Sequence, residues 1–264
     1  MKTFFAAAAA LVMAATVASC GAPAPDQPDA ASAPAPEASQ PIGVASFNAA
    51  QQTDIRAVVR DYLLRDPAVL EDALEALAAQ KATERRTAME MDTRSFAFGP
   101  RDAPITIVEF FDYRCPYCHA ALEWINGVMA SRRDVRIIFR EYPILTRQSE
   151  EAARAAMAAI RQNRYLPFHR ALMGFPGDLT SAQIDTLARQ SGVDVARMRR
   201  DMADPAIDQY LRETLELANE AQVNGTPSFF INGRYVSGWP GPEDLDRIVN
   251  EAAAAAQRDG GRAR

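Results

Sequence analysis

Apolar residues recur along the 264-residue chain in patterns that predict distinct elements. Between positions 52 and 65, Ile55, Val58, Val59, Tyr62 and Leu63 lie three and four residues apart, which makes one helical stripe. Asp66-Pro67 reads as the N-cap and first turn of a second helix, striped by Val69, Leu70, Leu74 and Leu77 and running to about Met91. Both stripes are narrow and backed by polar residues, as in a helix that packs on its own domain or on a partner helix. After the turn Arg101-Asp-Ala-Pro104, Ile105 to Phe111 is apolar enough to be a buried strand. A helical pattern follows from Cys115 to about Ser131, with Leu122, Ile125 and Met129 inward, and Val135 to Phe139 is a second strand. Residues 147–222 read as helices only. Ser149 can cap a segment ending at Ile160, Thr180 with Gln183 makes a capping box, Asp194 caps a short helix, and Asp204-Pro205 opens a longer one stopped by Asn224-Gly225. Asn232-Gly233 between short apolar runs is a two-residue hairpin signal, and Pro242 opens a last helix with Leu245, Ile248 and Val249 inward. The order is β-α-β, a helical block, then a β-hairpin and a helix. That order is an α/β thioredoxin fold with a helical insertion at about 147–222, preceded by a helical arm.

The first 20 residues carry Lys2, an apolar run from Phe4 to Val17 too short to span a bilayer, and Val17-Ala-Ser-Cys20. This resembles a bacterial lipoprotein signal, in which Cys20 is lipidated and becomes the first mature residue; a plain cleaved signal that contains Cys20 is the alternative. Gly21, rather than an aspartate, favours the outer membrane by the same resemblance. The segment 21–47 is rich in Ala, Pro, Ser and acids and lacks the apolar groups to offset ordering, so it reads as a tether. Residues 48–93 are then the arm and 94–256 the main domain. The net charge of −5 argues against nucleic acid as a partner. Only Cys20, Cys115 and Cys118 are available, so no disulfide framework staples this exported chain. Its two histidines, His119 and His169, are too few to suggest a metal site, and no cofactor is expected.

Candidate chemistry concentrates in Glu109-Phe-Phe-Asp-Tyr-Arg-Cys115-Pro-Tyr-Cys118-His119. The C-x-x-C pair sits where strand passes into helix, so unpaired N–H groups at the helix start favour a thiolate on Cys115. A free thiol is only about 3% ionised at pH 7, whereas a depressed one attacks disulfides. Cys118, one turn on and less exposed, would resolve the mixed disulfide. His119 shares the helical face of Cys115 and reads either as an exposed helix histidine or, when charged, as a further depressor of the thiolate. Arg114 reads either as added positive charge at the site or, equally, as a solvated arginine. Glu109 in an apolar strand needs a partner, a task, or an edge position facing water.

These motifs, with Gly225-Thr-Pro227 before Ser-Phe-Phe-Ile-Asn-Gly233, resemble the DsbA family of periplasmic disulfide oxidoreductases over about Ser95 to Ala255. Asp61-Tyr-Leu-Leu-Arg-Asp-Pro67 and the helix after it resemble the arm of suppressor-of-copper-sensitivity C proteins, several of which oligomerise through it. The resemblance implies a proton relay from Glu109 to Cys118. It also implies a cis-proline loop at Thr226-Pro227 that pairs with an extended substrate, with Pro116 and Tyr117 contributing to the substrate surface. Expected partners are cysteine-containing exported proteins, a membrane redox protein that recycles the pair, and a second copy of the chain. Threonine before the proline, and the arm, favour an isomerase or reductase over a monomeric oxidase. C-x-x-C-H is also the haem c attachment pattern, C-P-Y-C also a glutaredoxin dipeptide, and a lipoprotein with incidental cysteines is a third alternative.

Overall fold

The computed structural model describes residues 47–262, so Cys20, the signal and most of the tether lie outside the described residues. Helix α1 (Ala49–Arg65) starts on a reciprocal cap: Gln51 N–H donates to Asn48 Oδ1 at 2.9 Å, and Asn48 N–H to Gln51 Oε1 at 3.0 Å. Helix α2 (Ala68–Met91) follows. Its flanking residue is Pro67, already helical at φ −64°, ψ −18° and uncapped, rather than Asp66; the Leu70 and Glu71 N–H groups reach the Pro67 carbonyl. The described chain divides into two compact units between Tyr62 and Leu63. In α1 no residue is buried, and its stripe of Ile55, Val58, Val59 and Tyr62 is exposed.

The second unit is built on a five-stranded sheet in the order β1-β3-β2-β4-β5. Its strands are β1 (Phe96–Phe98), β2 (Ile105–Phe111), β3 (Val135–Glu141), β4 (Ser228–Ile231) and β5 (Arg234–Ser237). β2 and β3 are parallel, joined through α3 (Pro116–Ser131); every other pairing is antiparallel. Helices α4 (Arg147–Ile160), α5 (Tyr165–Met173), α6 (Ser181–Gln190), α7 (Val195–Asp201) and α8 (Pro205–Glu220) form the block between β3 and β4, and α9 (Pro242–Arg262) closes the chain. The thioredoxin fold with a helical insertion is therefore the observed architecture. Asn232 and Gly233, at φ 47° and 84°, make the predicted hairpin between β4 and β5.

Several boundaries differ from the sequence reading. β1 is only three residues long and shows no alternation over so short a span, yet it pairs with β3. Thr146, not Ser149, caps α4; Ser149, at the third helical position, donates its N–H to the Thr146 hydroxyl and accepts the Thr146 N–H on its own hydroxyl. Helix α8 ends at Glu220, with Gln222 in the left-handed region at φ 57°, before Asn224-Gly225 is reached.

Alternation along β2 and β3 divides two cores. Ile105, Ile107 and Phe111 with Val135, Ile137 and Phe139 face α3 and the helical block. Val108, Phe110, Ile138 and Tyr142 face the other way, under Met89 of α2 and Ala218 of α8. α2, read from sequence as part of an arm ending at residue 93, thus completes a core; burying Met89 is worth about 2 kcal/mol. Arg140 fixes the end of α2 from the same face. It is 1% exposed and donates to the Ala88 and Met89 carbonyls and to Asp92, which also accepts from Arg94. Burial pushes the Asp92 carboxyl up, but hydrogen bonds from Arg94 and the charge of Arg140 outweigh it and hold it down at about 2. A depressed carboxyl stabilises the fold above its unfolded value near 4, and that stability is lost as pH falls towards 2. Asp92→Asn should therefore cost about 2 kcal/mol at neutral pH and flatten the acid limb between pH 4 and 2, as read by urea unfolding across pH.

Candidate active site

Cys115 is the N-cap of α3, with Pro116 at the first helical position, where its missing N–H costs nothing. The Cys118 and His119 N–H groups donate to the Cys115 carbonyl at 3.0 and 3.1 Å. This turn leaves the Tyr117 and Cys118 N–H dipoles near the Cys115 sulfur. Both cysteines are free thiols; Cys115 is 5% exposed and Cys118 1%. The Cys115 thiol is pulled down to about 5, first by a hydrogen bond from the Cys118 thiol, against burial, and then by Thr226 and the two backbone N–H groups. A fall from 9 to 5 is ~5 kcal/mol of thiolate stabilisation, roughly half of it expressed at pH 7. Cys118 goes the opposite way, pushed up by burial, by its bond to Cys115 and by the charge of Glu109. One pair of identical side chains is thereby split into an attacking thiolate and a proton-holding thiol.

The peptide bond Thr226-Pro227 is cis, and the Thr226 carbonyl accepts from the Cys115 thiol at 3.1 Å. The Thr226 hydroxyl is buried and unpaired among the described residues in this dithiol form. A buried hydroxyl with no partner costs about 1–3 kcal/mol, recovered when the neighbouring sulfur ionises and accepts its proton. Glu109 does not face water at an edge. Its strand is central, with Phe139 and Phe229 as register partners on either side, and it is 3% exposed. Burial, then the negative charge on Cys115, push its carboxyl up to about 8. It is a neutral acid at pH 7, on the cysteine face of the sheet.

The other predicted residues are placed less centrally. His119 is half-buried and its Nε2 donates to the Tyr113 carbonyl at 2.7 Å, so its ring is engaged with backbone rather than free on the surface. Arg114 pairs with Asp178 at 2.7 Å and with the Gly177 carbonyl, tying the loop to the helical block. Pro116 and Tyr117 are exposed, Tyr117 at 64%. Sequence reasoning missed Asp112. It is fully buried, its Oδ1 accepts from Arg114 N–H, and its Oδ2 accepts from Ile144 and Leu145 N–H, which staples the cysteine turn to an exposed apolar lip. It also missed Glu141, Tyr113, Tyr165 and His169, buried together behind the turn. Glu109 was signalled by its place inside an apolar run, whereas Glu141 follows Arg140 past the end of one and carried no such signal. Among the described residues no cluster of His, Cys, Asp and Glu could hold a metal ion.

Residues 106–253 match the profile of the DSBA-like thioredoxin domain, more than half of the chain. The protein belongs to that family. Residues 51–84 match the copper resistance protein ScsC N-terminal domain. A thioredoxin-like oxidoreductase from Silicibacter pomeroyi is 36% identical, covers 64% of this chain and 98% of its own, and superposes with a TM-score of 0.62. A linker-deleted variant of Proteus mirabilis ScsC is 27% identical, covers 81% of this chain and all of its own, with a TM-score of 0.62. The Na(+)/H(+) antiporter NhaA 3 of Salinispora tropica is 32% identical over 173 residues; that match takes in 64% of this chain and 26% of the antiporter. The chain thus spans about a quarter of the length of the curated relatives it matches. No helix among its described residues is long and apolar enough to cross a membrane.

Removing the Thr226 hydroxyl withdraws a donor from the thiolate alone. Thr226→Val should raise the Cys115 midpoint from about 5 by roughly one pH unit, read as thiolate absorbance during titration of the reduced protein. An unchanged midpoint would mean that the helix start and Cys118 suffice.

Proposed function

We propose that the protein is a thiol–disulfide oxidoreductase acting on cysteines of exported proteins, with Cys115 as nucleophile and Cys118 as resolving thiol. The observation that carries this reading is the C-x-x-C turn itself: Cys115 caps α3 beside the Thr226 carbonyl while Cys118 is buried one turn on, a placement that draws the first thiol down and pushes the second up. Attack of the Cys115 thiolate on a substrate disulfide forms a mixed disulfide and releases one substrate thiol. Cys118 then needs to lose its proton before it can displace the second substrate sulfur, and Glu109, buried on the same face, is the acid–base group suited to pass it. The Thr226 carbonyl stands beside the sulfur, where the backbone of an extended substrate can pair, with exposed Tyr117 and Pro116 as surface for its side chains.

Within this chemistry the reading is an isomerase or reductase. Support comes from the ScsC-type arm and from its stripe: Leu70, Leu74 and Leu77 are each about half exposed in the single chain. An uncovered stripe of this kind suits association with further copies, which would shield the cysteines and hold a misfolded chain while it rearranges. The strongly depressed Cys115 supports the second reading, a monomeric dithiol oxidase, because a stabilised thiolate favours the reduced enzyme. The full chain should sediment as an oligomer and isomerise scrambled disulfides. Leu70→Glu/Leu74→Glu/Leu77→Glu should be monomeric, still reduce insulin, and isomerise poorly. A monomeric parent chain would replace the isomerase with the oxidase.

A periplasm-facing place, anchored by lipid on Cys20 with a membrane redox protein recycling the pair, completes the proposal. Cys20→Ala should move the protein from the membrane to the soluble fraction of a bacterial host; unchanged fractionation would remove the anchor.

A further inference from the structure

The exchange steps leave one buried polar cluster unused. Glu141 ends β3 on the same sheet face as Glu109, two register positions away along neighbouring strands: Glu109 pairs with Phe139, Phe111 with Glu141. Its Oε1 accepts from the Tyr165 hydroxyl at 2.7 Å and the Tyr113 hydroxyl at 3.1 Å. The Tyr113 hydroxyl lies 3.0 Å from His169 Nδ1. All four side chains are at least 98% buried. Glu109, by contrast, has no hydrogen-bonding partner among the described residues, so the donors suited to a buried carboxylate are gathered on Glu141.

Counting protons shows that the cluster is satisfied in two charge states. With Glu141 ionised, both tyrosines donate to it and His169 Nδ1–H donates to the Tyr113 oxygen. With Glu141 neutral, its own O–H can donate to Tyr113, whose proton then turns to Nδ1 of a His169 of the other tautomer. His169 stays uncharged in both, since burial holds it down at about 3. The groups that face Glu141 are Asp112 and Glu109, whose charges raise it, Tyr113, Tyr165 and His169, and Tyr210 of α8, which feels its charge.

We propose that Glu141 is a second redox-linked proton holder: when the Cys115 charge disappears on oxidation, Glu109 and Glu141 share the negative charge that replaces it. The reduced site holds Cys115 thiolate, Cys118 thiol and two neutral carboxyls. A substrate disulfide takes two electrons as its S–S bond breaks and the Cys115–Cys118 bond forms. Two protons follow to the two substrate thiols, one from Cys118 and one from the carboxyl pair. One negative charge stays in the site before and after. Glu141 acts through Glu109 and is a positioning residue, and the inference rests on the exchange reading above.

The test is the infrared difference spectrum of oxidised minus reduced full-length protein, in the band of protonated carboxyl groups. Oxidation should remove intensity there in the parent protein. Glu109→Gln should keep part of that loss, and Glu109→Gln/Glu141→Gln should show none. Complete loss of the signal in Glu109→Gln alone would overturn the proposal and leave Glu141 a packing group. Tyr165→Phe, which keeps the carboxyl and removes one donor, should shift the band to higher frequency in a fully folded protein; an unshifted band would also overturn it. If dithiothreitol and glutathione disulfide cannot interconvert the two redox forms, the exchange reading itself falls. If they can and the carboxyl region stays silent, only the shared-charge proposal falls.

Discussion

A single negative charge, held on a sulfur that is almost closed off from water, is the constraint on which the rest of this structure depends. Water would solvate a thiolate without help. In a residue only 5% exposed the Cys115 sulfur needs replacements, and the fold supplies them from three directions: the start of α3, the Cys118 thiol and the Thr226 loop. The same burial that makes Cys115 depend on its donors deprives Cys118 and Glu109 of any reason to ionise beside it. The asymmetry of the pair therefore comes less from the two cysteines than from which of them meets the helix N-terminus.

The sheet makes that asymmetry durable. Glu109 lies in the central strand because β2 is paired on both sides, and α3 follows that strand in the chain. The fully buried Asp112 side chain binds the turn to the loop at Ile144 and Leu145. On the opposite face Arg140 and Met89 seat the end of α2. A segment that begins with an open apolar stripe thus ends as part of the core. Directed partners meet most polar atoms of these buried side chains, the condition under which an interior tolerates them; Arg140 Nε is left without one among the described residues.

Much of this was legible in the residues. The C-x-x-C between an apolar strand and a helical pattern located the site, Asn232-Gly233 located the hairpin, and Asp204-Pro205 located the start of α8, since each depends on local backbone chemistry. Features that depend on tertiary neighbours were not legible. Three residues of β1 carry no period, and Met89 looks like any apolar residue in a charged helix until the sheet face beneath it is known. His119 has helical spacing to Cys115, but its ring bonds the Tyr113 carbonyl. Glu141 is the instructive case: it lies past Phe139, where the apolar run ends, and only the strand's extension to residue 141 showed that it was inside.

The most direct measurement is alkylation of the fully reduced protein by iodoacetamide at pH 6, with each cysteine followed separately by peptide mass. Cys115 should be modified rapidly while Cys118 stays untouched, because only one sulfur of the pair is ionised at that pH. Equal modification of the two, or faster modification of Cys118, would contradict the placement of the charge and with it the proposed chemistry.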